Sequence, residues 1–312
     1  MKKIAFLFPG QGSQTVGMGY DLFQEYDFVR ELFAAADDIA GGPISQYCFK
    51  GPMETLTETV NLQPAVTAVN LACLEAIGRA GITCGFSAGH SLGEYSALAS
   101  AKIVSTTDTL RLVFKRGELM HRESLKHTGA MSAIIGLDIQ AVEALVAAGR
   151  NTGVVSVANH NAEQQIVVTG APEAVAAVSQ TAKSQGAKAI PLKVSGAWHS
   201  DLIKGAEDEF IEYLNTVSFN SPENSVIHNV TADCCEDGKA IQRLMAMQLC
   251  SPVRWYDSIR RLVSEKVEVF VEVGPGRVLT GLLKKIVSPD YNHKVFSVSN
   301  METLDTLISE LS

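Results

Sequence analysis

Short apolar runs separated by longer amphipathic stretches set the tightest limit on what this chain can fold into. Ile4–Phe8 is such a run, Thr83–Ala88 another, and Val267–Val273 and His293–Val298 come last. Each has the length of a buried strand, and helical patterning follows most of them. That alternation builds a parallel sheet covered by helices. With 312 residues, 46% of them hydrophobic, there is material for one large domain or two moderate ones.

The middle of the chain follows another order. Met131–Leu137 reads as a strand, and Asp138 is placed to cap a helix running to about Ala148. Val154–Ala158 and Gln164–Thr169 read as two more strands, with Asn159-His160-Asn161 as the turn between them. Pro172 suits the first turn of a second helix, and Lys188–Val194 completes a βαββαβ series, the split-βαβ pattern of a ferredoxin-like unit. The expected fold class is therefore α/β: a hydrolase-like parallel-sheet large subdomain, residues 1–125 and 198–312, interrupted by a small ferredoxin-like subdomain over 126–197.

Charge narrows the function. A formal net charge of −8 argues against a nucleic-acid binder. Basic residues do gather at Arg254, Arg260, Arg261, Lys266, Lys284 and Lys285, either as a solvated face or as a dock for an acidic protein. No uninterrupted apolar stretch approaches the roughly 20 residues that span a bilayer. The apolar start of the chain is cut short by Pro9-Gly10-Gln11-Gly12 and reads as a first strand, not a signal peptide. Six cysteines without a Cys-x-x-Cys pair fit a reduced, cytoplasmic protein with no metal site. A monomer is the expectation.

Gly-x-Ser-x-Gly occurs twice, overlapping, as Gly85-Phe86-Ser87-Ala88-Gly89 and Gly89-His90-Ser91-Leu92-Gly93. A nucleophile elbow needs a strand before its serine and a helix behind it. Ser91 has both, whereas Ser87 lies inside the expected strand. A serine also needs a base. His90 adjoins Ser91, where successive side chains diverge. His121, His127, His228 and His293 sit in structural or surface contexts. His199 follows the strand Lys188–Val194 through Ser195-Gly196-Ala197-Trp198 and precedes a helix near Ser200, a usual place for a functional residue.

Arg116 stands out on the helix expected over Thr107–Arg122. Its neighbours three and four residues away, Leu112, Val113, Leu119 and Met120, are all apolar, whereas Lys115 can reach Glu118. A guanidinium in such surroundings needs an anion. Either a distant Asp or Glu supplies it, or a substrate carboxylate does. The loop Phe8–Gln14 lacks the third glycine of a dinucleotide fingerprint and the Gly-Lys-Ser/Thr of a P-loop. Free N–H groups after a strand suit an oxyanion instead.

Together Phe8-Pro9-Gly10-Gln11-Gly12-Ser13-Gln14, Gly89-His90-Ser91-Leu92-Gly93-Glu94-Tyr95-Ser96-Ala97-Leu98, Gln248-Leu249-Cys250-Ser251-Pro252-Val253-Arg254-Trp255 and Val271-Glu272-Val273-Gly274-Pro275-Gly276 resemble the malonyl-CoA:acyl carrier protein transacylases of fatty-acid and polyketide synthesis. The resemblance covers essentially the whole chain. It implies that Ser91 is the nucleophile, His199 the base, and Arg116 the partner of the malonyl carboxylate. It implies an oxyanion hole from the N–H groups of Gln11 and Leu92, and a Gln248 carbonyl that orients the histidine. His90 and Asn161 become pocket residues. No metal or bound cofactor is implied; malonyl-CoA is a substrate and acyl carrier protein the partner. The sequence departs from the family at Trp198, where a small residue or Phe is frequent, and a bulky aromatic there resembles malonyl-selective relatives. The alternative is a serine thioesterase or hydrolase on the same elbow, which would normally give its histidine an acidic side chain.

Overall fold

The computed structural model describes residues 2–311; Met1 and Ser312, at the two ends of the expected large unit, lie outside them. Among the described residues nine strands form two sheets. The first contains β1 (Ile4–Phe8), β2 (Phe86–Gly89), β7 (Ser225–Ile227), β8 (Val269–Val273) and β9 (Lys294–Val298), in the order β7-β2-β1-β8-β9. Every neighbouring pair in it is parallel. The runs read from the sequence become β1, β2, β8 and β9, the later three starting one to three residues late. The side chains of β1, β2 and β8 are largely buried because helices cover both faces of the sheet, as a parallel sheet requires, whereas only Val298 is buried on the edge strand β9.

Chain order reverses on either side of β1, so the loops after β1 and β2 meet at the carboxyl end of the sheet. Open α/β sheets bind ligands at such a switch point. The approach there is close. A Cβ on Gly93 would lie 1.9 Å from the Phe8 carbonyl oxygen, and one on Gly89 would lie 2.0 Å from the Gly93 backbone. Only glycine lets the helix Gly93–Ser100 start directly against β1.

The second sheet contains β3 (Ala130–Ile135), β4 (Val155–Ala162), β5 (Gln165–Gly170) and β6 (Lys188–Pro191), ordered β4-β5-β3-β6 and antiparallel throughout. With the helices Ile139–Gly149 and Pro172–Ser184 this is the ferredoxin-like arrangement. The Asp138 side chain accepts from the Ala141 N–H at 2.8 Å, as an N-cap should, and Pro172 occupies the first turn of its helix.

Two expectations need correction. Asn159-His160-Asn161 is strand, not turn: β4 continues to Ala162, with register shifts between Val157 and Asn159 and between His160 and Ala162. The extension exists because β4 finds a second partner. Val253 N–H donates to Ala158 O at 2.8 Å, and His160 N–H donates to Val253 O at 2.9 Å, joining the two sheets' territories. Strand β6, in turn, stops at Pro191 instead of Val194; as an edge strand it tolerates a proline there.

The helix Thr59–Arg79 is long and apolar enough to pass as a membrane span, but most of it is buried within the fold, as a core helix is. Replacing Gly93 with Ala is expected to destabilise the chain by about 1–3 kcal/mol or more. The midpoint of urea unfolding should fall with its slope unchanged; a wild-type midpoint refutes the close-approach argument.

Candidate active site

Ser91 follows β2 with φ of 51°, and His199 sits with φ of 60° in the loop before the 3-10 turn Asp201–Ala206. Non-glycine residues rarely hold this left-handed backbone, and doing so costs of order 1–3 kcal/mol each. The surroundings enforce it. Asn229, just after β7, accepts the Ser91 N–H at 2.7 Å and donates to Gly89 O at 2.6 Å. Ser200 caps the turn after His199, its hydroxyl accepting from the Leu202 N–H at 3.2 Å and donating to Ala197 O at 2.7 Å.

These conformations bring Ser91 Oγ within 2.8 Å of His199 Nε2. On the other side of the ring, Nδ1 meets the backbone oxygen of Gln248 at 3.1 Å. That contact fixes Nδ1 as the protonated nitrogen and leaves Nε2 free to accept from the serine. Burial, reinforced by the nearby Arg116 charge, pulls His199 down from its ordinary 6.5 to about 3. It is a neutral base across the physiological range.

Arg116, on the helix Thr106–Lys126, is 1% exposed. Leu112, Val113, Leu119 and Met120 around it are buried, as the helical spacing predicts. Among the described residues it makes no ion pair. Its donors go to neutral oxygens: Nη1 to Gln63 Oε1 at 3.0 Å, and Nη2 to Gln248 Oε1 and to Ser91 Oγ, both at 3.2 Å. Its Nε has no partner, and its Cζ lies 5.6 Å from the centroid of the Tyr95 ring. Burial lowers its pKa from the ordinary value. The site thus holds a buried cation with donor capacity to spare, resting on the serine oxygen.

The loop after β1 closes the site. A Cβ on Gly10 would come within 2.5 Å of His90 O and 3.5 Å of Leu92 N, so the loop lies against the elbow. Neither the Gln11 nor the Leu92 N–H donates a hydrogen bond among the described residues. His90 Nε2 lies 2.7 Å from Asn161 Oδ1, its ring edge-on to Trp255, and burial lowers its pKa. Asn161 reaches it because β4 extends past the expected turn. Trp198 is buried with its ring beside Gly196, and among the described residues no hydrogen bond links it to Ser91 or Arg116. Ser87, the other motif serine, is buried in β2 and donates to Ser100 and Asn224, away from His199.

Sequence reading missed Gln63, Asn229 and the side chain of Gln248. Asn229 follows a strand of three residues, too short to show a pattern. Elsewhere, a cavity of about 660 Å³ opens beside the starts of β2 and β7, near Cys84, Lys102 and Asn224; none of the residues around Ser91 lines it. In the basic cluster, Arg254 pairs with Asp257, and Arg261 with Asp233 and Glu265.

A parallel α/β sheet presenting a serine, a neutral histidine and unspent amides on one elbow defines an acyl-transfer class of site. Residues 5–305 match the family described as acyl transferase domain, and the chain belongs to that family. It is 42% identical to the malonyl CoA-acyl carrier protein transacylase of Bacillus subtilis, over 100% of this chain and 98% of that one. The Escherichia coli transacylase of the same name is 41% identical over 92% and 94%. A crystal structure of an acyl carrier protein S-malonyltransferase from Vibrio cholerae superposes with a TM-score of 0.92 at 39% identity, covering 98% and 99%. A malonyl-transacylase in complex with its type II PKS acyl-carrier protein superposes at 0.94, with 36% identity over 99% of each.

Because His199 stays deprotonated above its lowered pKa, Ser91 should keep its reactivity as pH falls through 6.5 and lose it only towards about 3. Labelling of Ser91 by a fluorophosphonate between about pH 8 and pH 5 should show no inflection near the ordinary imidazole value. A step there would mean the histidine is not buried as described.

Proposed function

We propose that the chain moves malonyl groups from malonyl-CoA to the phosphopantetheine thiol of an acyl carrier protein, through an ester on Ser91. Arg116 carries the reading. A fully buried guanidinium with an unpartnered Nε and 3.2 Å between its Nη2 and the serine oxygen has no anion in direct contact among the described residues. An acyl chain that ends in a carboxylate supplies one. The names of the relatives point the same way.

In the first step His199 Nε2 takes the proton of Ser91 Oγ while the oxygen attacks the thioester carbon. The N–H groups of Gln11 and Leu92 hold the oxyanion; losing one such donor typically costs roughly 10²–10³ in rate. Coenzyme A leaves as the thiol with the proton from His199, and malonyl-Ser91 remains. In the second step the pantetheine thiol gives its proton to His199 and attacks the ester carbon. Collapse frees Ser91, which recovers the proton from His199. Each step uses only these side chains and amides. His90 and Asn161 shape one wall of the acyl pocket, and Trp198 stiffens the loop that presents His199. The chain works in the cytoplasm as a monomer, in keeping with six unpaired cysteines.

A hydrolase reading is less well supported, because His199 Nδ1 meets a backbone carbonyl where a hydrolase triad normally offers a carboxylate. Measuring free malonate against malonyl-carrier product separates the two.

Intact-mass spectra after mixing with malonyl-CoA should show a malonyl adduct on the wild type and none on Ser91→Ala. No adduct on either sinks the proposal. Arg116→Ala should lose about 2–5 kcal/mol of its interaction with the malonyl group and become relatively better with acetyl-CoA. An unchanged malonyl-to-acetyl ratio would remove Arg116 from acyl recognition.

A further inference from the structure

Beneath the elbow lies a carboxylate that the chemistry above does not use. Glu94, in the first turn of the helix Gly93–Ser100, is 1% exposed. Its Oε1 faces His228 Nδ1 at 2.9 Å and accepts the Asn229 N–H at 3.2 Å. Its Oε2 accepts from Gln248 Nε2 at 2.7 Å, and that nitrogen also donates to Ser91 O at 3.0 Å.

Gln248 therefore serves four residues at once. Its amide nitrogen is held by Glu94 and Ser91, its amide oxygen accepts from Arg116 Nη2, and its backbone oxygen meets His199. An ionised carboxylate can only accept hydrogen bonds. Facing Glu94, the Gln248 amide must present NH₂, and its oxygen must then turn to the guanidinium. The opposite orientation would set NH₂ against the N–H groups of Arg116 and oxygen against the carboxylate, two repulsive contacts between buried groups. The polarity of Glu94 thus selects the orientation that Arg116 needs.

The placement also answers how Arg116 stays buried without an ion pair. Direct contact with an acid would occupy the cation, and complete isolation would cost several kcal/mol. One amide of separation keeps an opposite charge near while leaving the guanidinium Nε without a partner.

On the reading of the site given above, we infer that Glu94 is the positioning residue for acyl selection: through Gln248 it orients Arg116 and stands as its counter-charge at one remove. It touches neither substrate nor the reacting atoms.

The test is the isosteric change Glu94→Gln, with single-turnover acylation of Ser91 by malonyl-CoA and acetyl-CoA followed by intact-mass spectrometry. A relay role predicts that the malonyl-to-acetyl rate ratio falls about tenfold or more, the scale of one mis-set buried hydrogen bond. A merely structural role would slow both acyl groups alike, so an unchanged ratio overturns the inference. Where Glu94→Gln does not fold, Gln248→Leu cuts the same relay while leaving Glu94 on His228, and the same two outcomes apply. If the wild type forms no malonyl ester, the parent reading fails, whatever the variants do.

Discussion

The left-handed backbone at Ser91 is the constraint on which the site depends. A serine in that conformation lifts its hydroxyl off the sheet, but the chain adopts it only against a cost. Three separate parts of the fold contribute to holding it. The absent Cβ atoms of Gly89 and Gly93 let the following helix press on β1. Asn229, delivered by the strand on the other side of β2, grips the backbone before and at the serine. Gln248, at the end of its helix, takes the Ser91 carbonyl. Sheet order is what brings these together, since β2 lies between β1 and β7.

Electrostatics under the elbow follow the same economy of parts. Arg116 and Glu94 are both buried, and each alone would be a heavy desolvation cost. They are joined by a neutral amide in place of a salt bridge, so neither is quenched. Gln248 links this pair to the histidine through its backbone oxygen, and a displacement of that one residue would disturb Ser91, His199 and Arg116 together.

Much of this is legible in the sequence alone. The burial of Arg116 followed from four apolar neighbours at helical spacing, a local property that a single segment encodes. The cap at Asp138 and the proline at 172 were local too. What the sequence hid depends on distant partners. Asn159-His160-Asn161 has turn composition but becomes strand because Val253, far along the chain, offers it a second edge. Asn229 follows a strand too short to show a period, and the role of the Gln248 side chain exists only where two helices and the elbow converge. The placement of His199 by its loop could be read; that its partner would be a backbone carbonyl came from the family resemblance.

In the proposed mechanism the nearness of Arg116 to His199 ties selection to reactivity. The cation is the second cause, after burial, of the lowered basicity of His199. On the proposed mechanism a substrate carboxylate docked on Arg116 offsets that charge, and the histidine becomes a better base while such an acyl group is in place. An uncharged acyl group leaves the cation without a direct partner and the base weak. A binding contact thereby contributes to the rate of the step that follows it, which is how a single arginine serves discrimination in the transition state as well as in binding. The backbone carbonyl on His199 Nδ1, in place of a carboxylate, has a further consequence. A thiol of pKa near 8.5 needs little help to give up its proton, whereas water needs much more. A histidine that lacks a carboxylate partner therefore favours the carrier's thiol over water as the group that takes the acyl chain away.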